Sequence, residues 1–310
     1  MPEYVPVAES RNVKVYCPKN GRYSFFNSPY PAHKIKTGID IYPVLSFGDI
    51  AGSPIEGEVI FTRKVKAPRG RGFKDSGFDT AILLKPEKNP RVVAKILHLD
   101  PCVEIGDKLS LGDDLGSLLR SGYYGLGTSP HIHLEIRPEK DPIRARGGYI
   151  LKNLHLKAGN VQDRLIGKVI HQQPEYSLIE IYDSYTGLIA QLGKEKGVLD
   201  GGIPYYGWLG VHMNRPGPGK ITLMGKIIGD THTVMEEASI GYCRELRFSI
   251  KEKKILGLSL YLSPKERAIV KTIPLKVGEL KLELEEDVNI KINSLNFRYS
   301  KLFKMWNELA

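Results

Sequence analysis

Cysteine is scarce. The 310-residue chain has three, Cys17, Cys102 and Cys243, odd in number and far apart. That excludes a disulfide framework and a Cys-x-x-Cys metal knuckle, and leaves buried, inert thiols as the expectation. Glutamine is scarcer still for its usual frequency, with four residues beside abundant Lys, Glu and Ile, a composition expected of a thermophilic host. Long apolar runs are missing: nothing approaches the ~18 consecutive apolar residues of a membrane span. The segment Met1 to Asn12 contains Pro2, Glu3, Pro6, Glu9 and Arg11 and lacks the apolar stretch of a secretory signal, so a cytoplasmic protein is expected. Hydrophobic residues at 41% and charged residues at 26% are those of a globular chain, and the length suits one large or two ordinary domains.

Acidic residues are fewer than basic ones, 35 against 45, and the net charge of +10 favours anionic partners only in a general way. The cations are dispersed except at Arg69 to Lys74 and Lys251 to Lys254, and the second cluster is answered by the acidic stretch Glu283 to Asp287. No nucleic-acid recognition motif accompanies them, so a solvated surface is expected.

What is abundant is short β-branched runs separated by 32 Gly and 20 Pro. Val13 to Tyr16, Glu58 to Phe61, Thr80 to Leu84, Val92 to Leu97, Ile132 to Ile136, Ser177 to Tyr182 and Ile221 to Met224 read as strands joined by tight turns, which predicts a mainly β fold. One helix is expected at the end, where Ser300 caps Lys301 to Leu309 with Leu302, Phe303, Trp306 and Leu309 on one face. The Gly-rich stretch around Arg144 to Gly148 places a boundary near residue 150, giving domains 1–150 and 151–310. Ile105 to Gly116 and Pro218 to Gly229 share glycine spacing, which hints at recurring hairpins.

Eight histidines are present, two of them in His131-Ile-His-Leu-Glu-Ile-Arg137. Strand alternation sends His131, His133 and Glu135 to one face and Ile132, Leu134 and Ile136 to the core. Asp40 sits between Ile39 and Ile41 in a second apolar setting, and His98 ends the run from Val92. Imidazole and carboxylate are the ligands of catalytic zinc sites, which keep one position open for water. Taken singly, each histidine reads as an ordinary surface or hydrogen-bonded strand residue.

Four blocks, in order, resemble the lysostaphin-type (LytM-type) zinc metallopeptidases. They are Lys36-Thr-Gly-Ile-Asp-Ile41, Gly48 to Val59, Ile96-Leu-His-Leu99, and Val103 to Gly116 followed by Gly127-Thr-Ser-Pro-His-Ile-His-Leu-Glu-Ile-Arg137. The resemblance covers residues 33 to 138. It implies a duplicated-hybrid-motif β-barrel or sandwich, followed here by a second β-rich domain of unknown role. It also implies a peptide or related polymer as substrate, Asp40 and His133 as zinc ligands, and His98 and His131 as the imidazoles that activate water or stabilise the tetrahedral intermediate.

Lys36 stands where the family places its first zinc-ligand His. An ammonium has no lone pair to donate and repels a cation, so a salt bridge to Asp40 would fill the site and leave no zinc. His33 is the alternative ligand if Pro31 to Thr37 loops back, since three extended residues span about 10 Å. Two functions follow. Lys36 and the missing signal favour a peptidase-like protein with a degenerate zinc site, a non-catalytic binding or assembly module. The alternative is a zinc-dependent metalloendopeptidase or amide hydrolase.

Other patterns fall away. Gly217 to Thr222 lacks the glycine and the Ser/Thr of a phosphate loop, and His133-x-Glu135 lacks the Cys pair of a zinc deaminase. His155, His171, His212 and His232 read as structural, Tyr205 to Trp208 reads as core packing, and Gly122 to Gly127 as pliant backbone beside the His131 strand.

Overall fold

The computed structural model describes residues 3–157 and 159–299. The fold is mainly β with curled sheets, as the short punctuated runs require. The one helix among the described residues is α1, Pro31–Lys34. The helix expected over Lys301 to Leu309 lies outside the described residues. No helix among the described residues is long and apolar enough to cross a membrane.

The chain divides into two compact units, Met1–Tyr23 with Tyr30–His155, and Ser24–Pro29 with Leu156–Ala310. The first unit contains β1 (Tyr4–Ser10), β2 (Val13–Pro18), β3 (Arg22–Ser24), β4 (Gly38–Tyr42), β5 (Ile50–Gly52), β6 (Gly57–Lys66), β7 (Phe78–Pro86) and β8 (Val92–Leu97). It continues with β9 (Leu99–Pro101), β10 (Lys108–Leu109), β11 (Asp114–Leu118), β12 (Ile132–Pro138) and β13 (Lys152–Asn153). Its main sheet has the order β10-β6-β7-β8-β12-β4-β3, beside the sheets β13-β1-β2 and β5-β11-β9. Pairing of β13 with β1, through Ala8 opposite Asn153, keeps residues 151–155 with this unit.

In the main sheet both faces of β12 are buried. Ile132, Leu134 and Ile136 fill an apolar core together with Ile39 and Ile41 of β4. The opposite face is polar, and register decides its contents. His133 lies across from Asp40 on β4, and Glu135 lies across from Lys95 on β8. Directly opposed residues share a face, so Asp40, His133, Glu135 and Lys95 form one polar stripe across three adjacent strands.

The second unit is an eleven-stranded antiparallel sheet: β14 (Leu165–Gln173), β15 (Tyr176–Ile181), β16 (Ile189–Leu192), β17 (Glu195–Ile203), β18 (Trp208–His212), β19 (Lys220–Leu223), β20 (Lys226–Val234), β21 (Ala238–Ile250), β22 (Lys253–Leu260), β23 (Ile269–Pro274) and β24 (Asp287–Tyr299). Pairing of β21 with both β18 and β24 curls the sheet into a ring, around a core that includes Leu165, Val169, Ile179, Leu199, Leu209 and Phe248. Trp208 is buried, and the Tyr205 hydroxyl hydrogen-bonds with Ser259 Oγ at 2.5 Å, so this aromatic run packs inside.

Candidate functional site

The site begins with a short helix and a reversal. Tyr30 is extended, Pro31 opens α1 with its φ already set for a helix, and Lys36 adopts a left-handed φ of 57°. A helical turn rises about 1.5 Å per residue, so the chain that would span 10 Å extended folds back instead. Thr37 N–H closes the turn on Ala32 O at 2.8 Å, and β4 starts at Gly38. Only glycine fits there, because a Cβ would stand 2.7 Å from His133 Cε1 and 3.0 Å from the Ala32 Cβ.

His33, on the inner side of this turn, is 1% exposed. Its Nε2 lies 3.3 Å from Asp40 Oδ1 and 3.1 Å from His133 Nδ1. His133 Nδ1 is in turn 2.9 Å from Asp40 Oδ1. Three ligand atoms thus form a triangle with edges of 2.9 to 3.3 Å. Tetrahedral zinc with N/O ligands at about 2.0–2.1 Å needs edges of about 3.4 Å. The donor set, two imidazoles and one carboxylate, fits zinc with an opening of a few tenths of an ångström. Lys36 lies in the same turn, 2% exposed, with its carbonyl accepting from Leu151 N–H.

Two further imidazoles adjoin the triangle. His98, in a left-handed turn (φ 75°) between β8 and β9, holds Asp79 twice. Its backbone N–H donates to Asp79 Oδ1 at 3.0 Å and its Nδ1–H to Oδ2 at 2.7 Å. That leaves Nε2 as its lone-pair nitrogen. His131 Nδ1–H donates to Ser129 O at 2.9 Å, and its Nε2 stands 3.7 Å from Asp40 Oδ2. The Tyr124 ring stacks on His131 at 4.8 Å and meets His98 edge-on at 4.9 Å.

Burial and charge divide these groups into opposite protonation states. Burial pushes the His131 imidazole down to about 3 against the pull of Asp40, so it is neutral at neutral pH. For His133 burial acts the same way but is outweighed by hydrogen bonds to Asp40 and Glu135, which lift it to about 9. Its Nε2–H reaches Glu135 Oε1 at 3.3 Å. Burial alone would raise the Asp40 carboxyl; neighbouring His33 and His131, with the hydrogen bond from His133, hold it well below the usual carboxylate range. Glu135 is likewise brought down to about 2, against burial, by His133 and Lys95. Lys95 Nζ and Arg137 Nη1 each approach a Glu135 oxygen at 2.5 Å.

The structure therefore brings together His33, Asp40, His98, His131 and His133, and it places Lys36 in the turn beside them. Sequence reasoning missed Asp79, Tyr124 and the role of Glu135. Asp79 had one weak signal, a carboxylate at the mouth of the apolar run Thr80 to Leu84. Strand alternation puts Glu135 on the face of His133 but does not reveal its partners, Lys95 and Arg137. His212, set aside from the sequence, is buried against Asp200 Oδ2 at 3.1 Å in the second unit.

Fold and site define a two-domain β protein with a buried histidine–carboxylate donor cluster in its first unit. Two family models match the chain in order: the N-terminal domain of the domain of unknown function DUF8155 over residues 12–153, and the C-terminal domain of DUF8155 over residues 164–293. Together they span most of the chain, which belongs to this two-domain family. No curated protein matches it.

Proposed function

We propose that the first unit is a zinc-dependent amide hydrolase of the lysostaphin type, with His33, Asp40 and His133 holding the metal. The observation that carries this reading is the three-donor triangle, completed by His33 from a turn that Lys36 reverses. Zinc bound there would lower the pKa of a water and polarise a substrate carbonyl. The remaining steps belong to the chain. His98, its Nδ1–H fixed on Asp79, offers Nε2 as the base that takes the water's proton and returns it to the departing amine. His131, kept neutral by burial, offers a lone pair that orients the water. Glu135 orients His133 from behind, as outer carboxylates do for metal-bound imidazoles.

A metal-free binding module is the second reading. It is favoured by the donors already standing within hydrogen-bond distance of one another, with Lys95 and Arg137 neutralising Glu135.

The test is reconstitution. Zinc-free protein given one equivalent of zinc should cleave amide bonds in a mixed peptide library. His98→Ala should abolish cleavage while zinc stays bound. Failure to take up zinc would favour the metal-free binding module, and full zinc loading with no cleavage of any library member would contradict the hydrolase reading.

A further inference from the structure

We propose that the basic hairpin between β6 and β7 is a docking surface for acidic peptide chains, which makes such chains the substrates of the hydrolase; this last step rests on the reading above. Between Arg63 and Lys74 the chain carries six cations, Arg63, Lys64, Lys66, Arg69, Arg71 and Lys74, and no acid. All six are exposed. Lys64 is engaged, 3.0 Å from Asp100 and over the Phe78 ring. The acid that follows, Asp75, shapes the loop by accepting from Gly70 N–H at 2.9 Å and Gly77 N–H at 2.8 Å.

The position of this charge is fixed relative to the histidines. The hairpin runs directly into the residue that holds His98, because Val65 pairs with Asp79. His98 also has the most exposed side chain of the site's imidazoles, at 10%. Ser76 N–H donates to Arg120 O at 3.0 Å, and Gly122 passes so close to Pro68 O that a Cβ would stand 1.7 Å from it. The Arg120 guanidinium lies 4.4 Å over Phe73 and 5.4 Å over Phe47. Phe47 is 5.9 Å from Tyr124, the ring that covers His98 and His131. A pinned chain of contacts thus connects the cationic loop to the imidazoles.

Exposed charges act over a Debye length of about 8 Å at physiological salt, so this run of cations attracts an extended anionic chain and not a single group held in a pocket. A peptide fits better than a nucleic acid. Bases need open aromatic faces to stack on, whereas Phe73 and Phe78 are covered by Arg120 and Lys64.

The experiment is fluorescence anisotropy with labelled Glu-Gly, Gln-Gly and Lys-Gly repeat peptides and an oligothymidine of matched length, using the zinc-free full chain at ~50 and ~300 mM salt. The Glu-Gly peptide should bind about tenfold tighter than Gln-Gly at low salt, and the advantage should shrink at high salt. Arg69→Gln/Arg71→Gln/Lys74→Gln should remove it with the circular dichroism spectrum unchanged. Asp40→Ala should retain it, because the surface lies outside the donor triangle. Equal binding of Glu-Gly and Gln-Gly, an unaffected triple variant, or tighter binding of oligothymidine would overturn the proposal. Loss of zinc binding with the charge preference intact would sink only the hydrolase reading. Cleavage of library peptides without regard to charge would sink only this one.

Discussion

Each unit buries an aspartate against histidine, and the two pairs have different surroundings. In the second unit Asp200 is spent. Its Oδ1 accepts from Ser24 Oγ, its Oδ2 accepts from Phe25 N–H at 2.7 Å and from His212 Nε2–H, and the Phe25 and Phe26 rings lie 5.1 and 5.2 Å from the imidazole. Both oxygens of Asp200 are thus taken by donors, two of them from the distant segment Ser24–Phe25. In the first unit the side chains of His33, His131 and His133 converge on Asp40, and the His98 ring lies 5.1 Å from that of His131. A buried Asp–His pair is thus a structural clamp where its oxygens are saturated by neighbours, and a ligand-ready site where several lone pairs meet at one point.

The largest expected effect comes from breaking the clamp. Asp200→Ala removes the carboxylate that His212, Ser24 and Phe25 N–H share, and should cost about 3–5 kcal/mol in denaturant unfolding with zinc content unchanged. A smaller cost, or a loss of zinc, would erase the distinction between the two pairs.

In the first unit the test is pH. His133 titrates near 9 when folded, above its ordinary 6.5. Its stabilisation is therefore complete below about pH 6.5 and lost as pH rises to about 9, on the order of 3 kcal/mol in the zinc-free protein. Zinc must displace that proton, so apparent zinc affinity should rise about tenfold per pH unit over the same window. Unfolding and zinc titrations at pH 6 and 9 check both slopes; a flat response would remove the charged His133 from the account.

Asp79→Asn should leave zinc bound and lower kcat by about 100-fold, because the amide no longer holds His98 in the tautomer that exposes Nε2. An unchanged kcat would remove His98 as the base.

The smallest effect is a labelling pattern. Cys102 is exposed, whereas Cys17 and Cys243 are buried and their thiols are pushed up by burial. One thiol per native chain should react. In Asp200→Ala, Cys243 of the second unit should become reactive before Cys17 of the first.

Much of this was legible in the residues. The seven strands read from β-branched runs all form, since local alternation and turn residues determine them. Alternation also placed His131, His133 and Glu135 on one face. What escaped depends on register and on two left-handed residues. Asp79 meets His98 only through the pairing of β7 with β8 and the turn at His98. His33 reaches the triangle only because Lys36 reverses the chain, a turn that the spacing of Pro31 to Thr37 does not itself reveal. The glycine echo misled for the same reason. Pro218 to Gly229 forms the β19–β20 hairpin, but in Ile105 to Gly116 the strands part, β10 to β6 and β11 to β5 and β9. Nothing in the composition of Ser24–Pro29 signals that it packs with the second unit.

The most direct measurement is elemental analysis of protein purified without chelator, wild type beside His33→Ala. About one zinc per wild-type chain and almost none in the variant are expected. A wild-type chain free of metal, or a variant that keeps its full equivalent, would contradict that expectation.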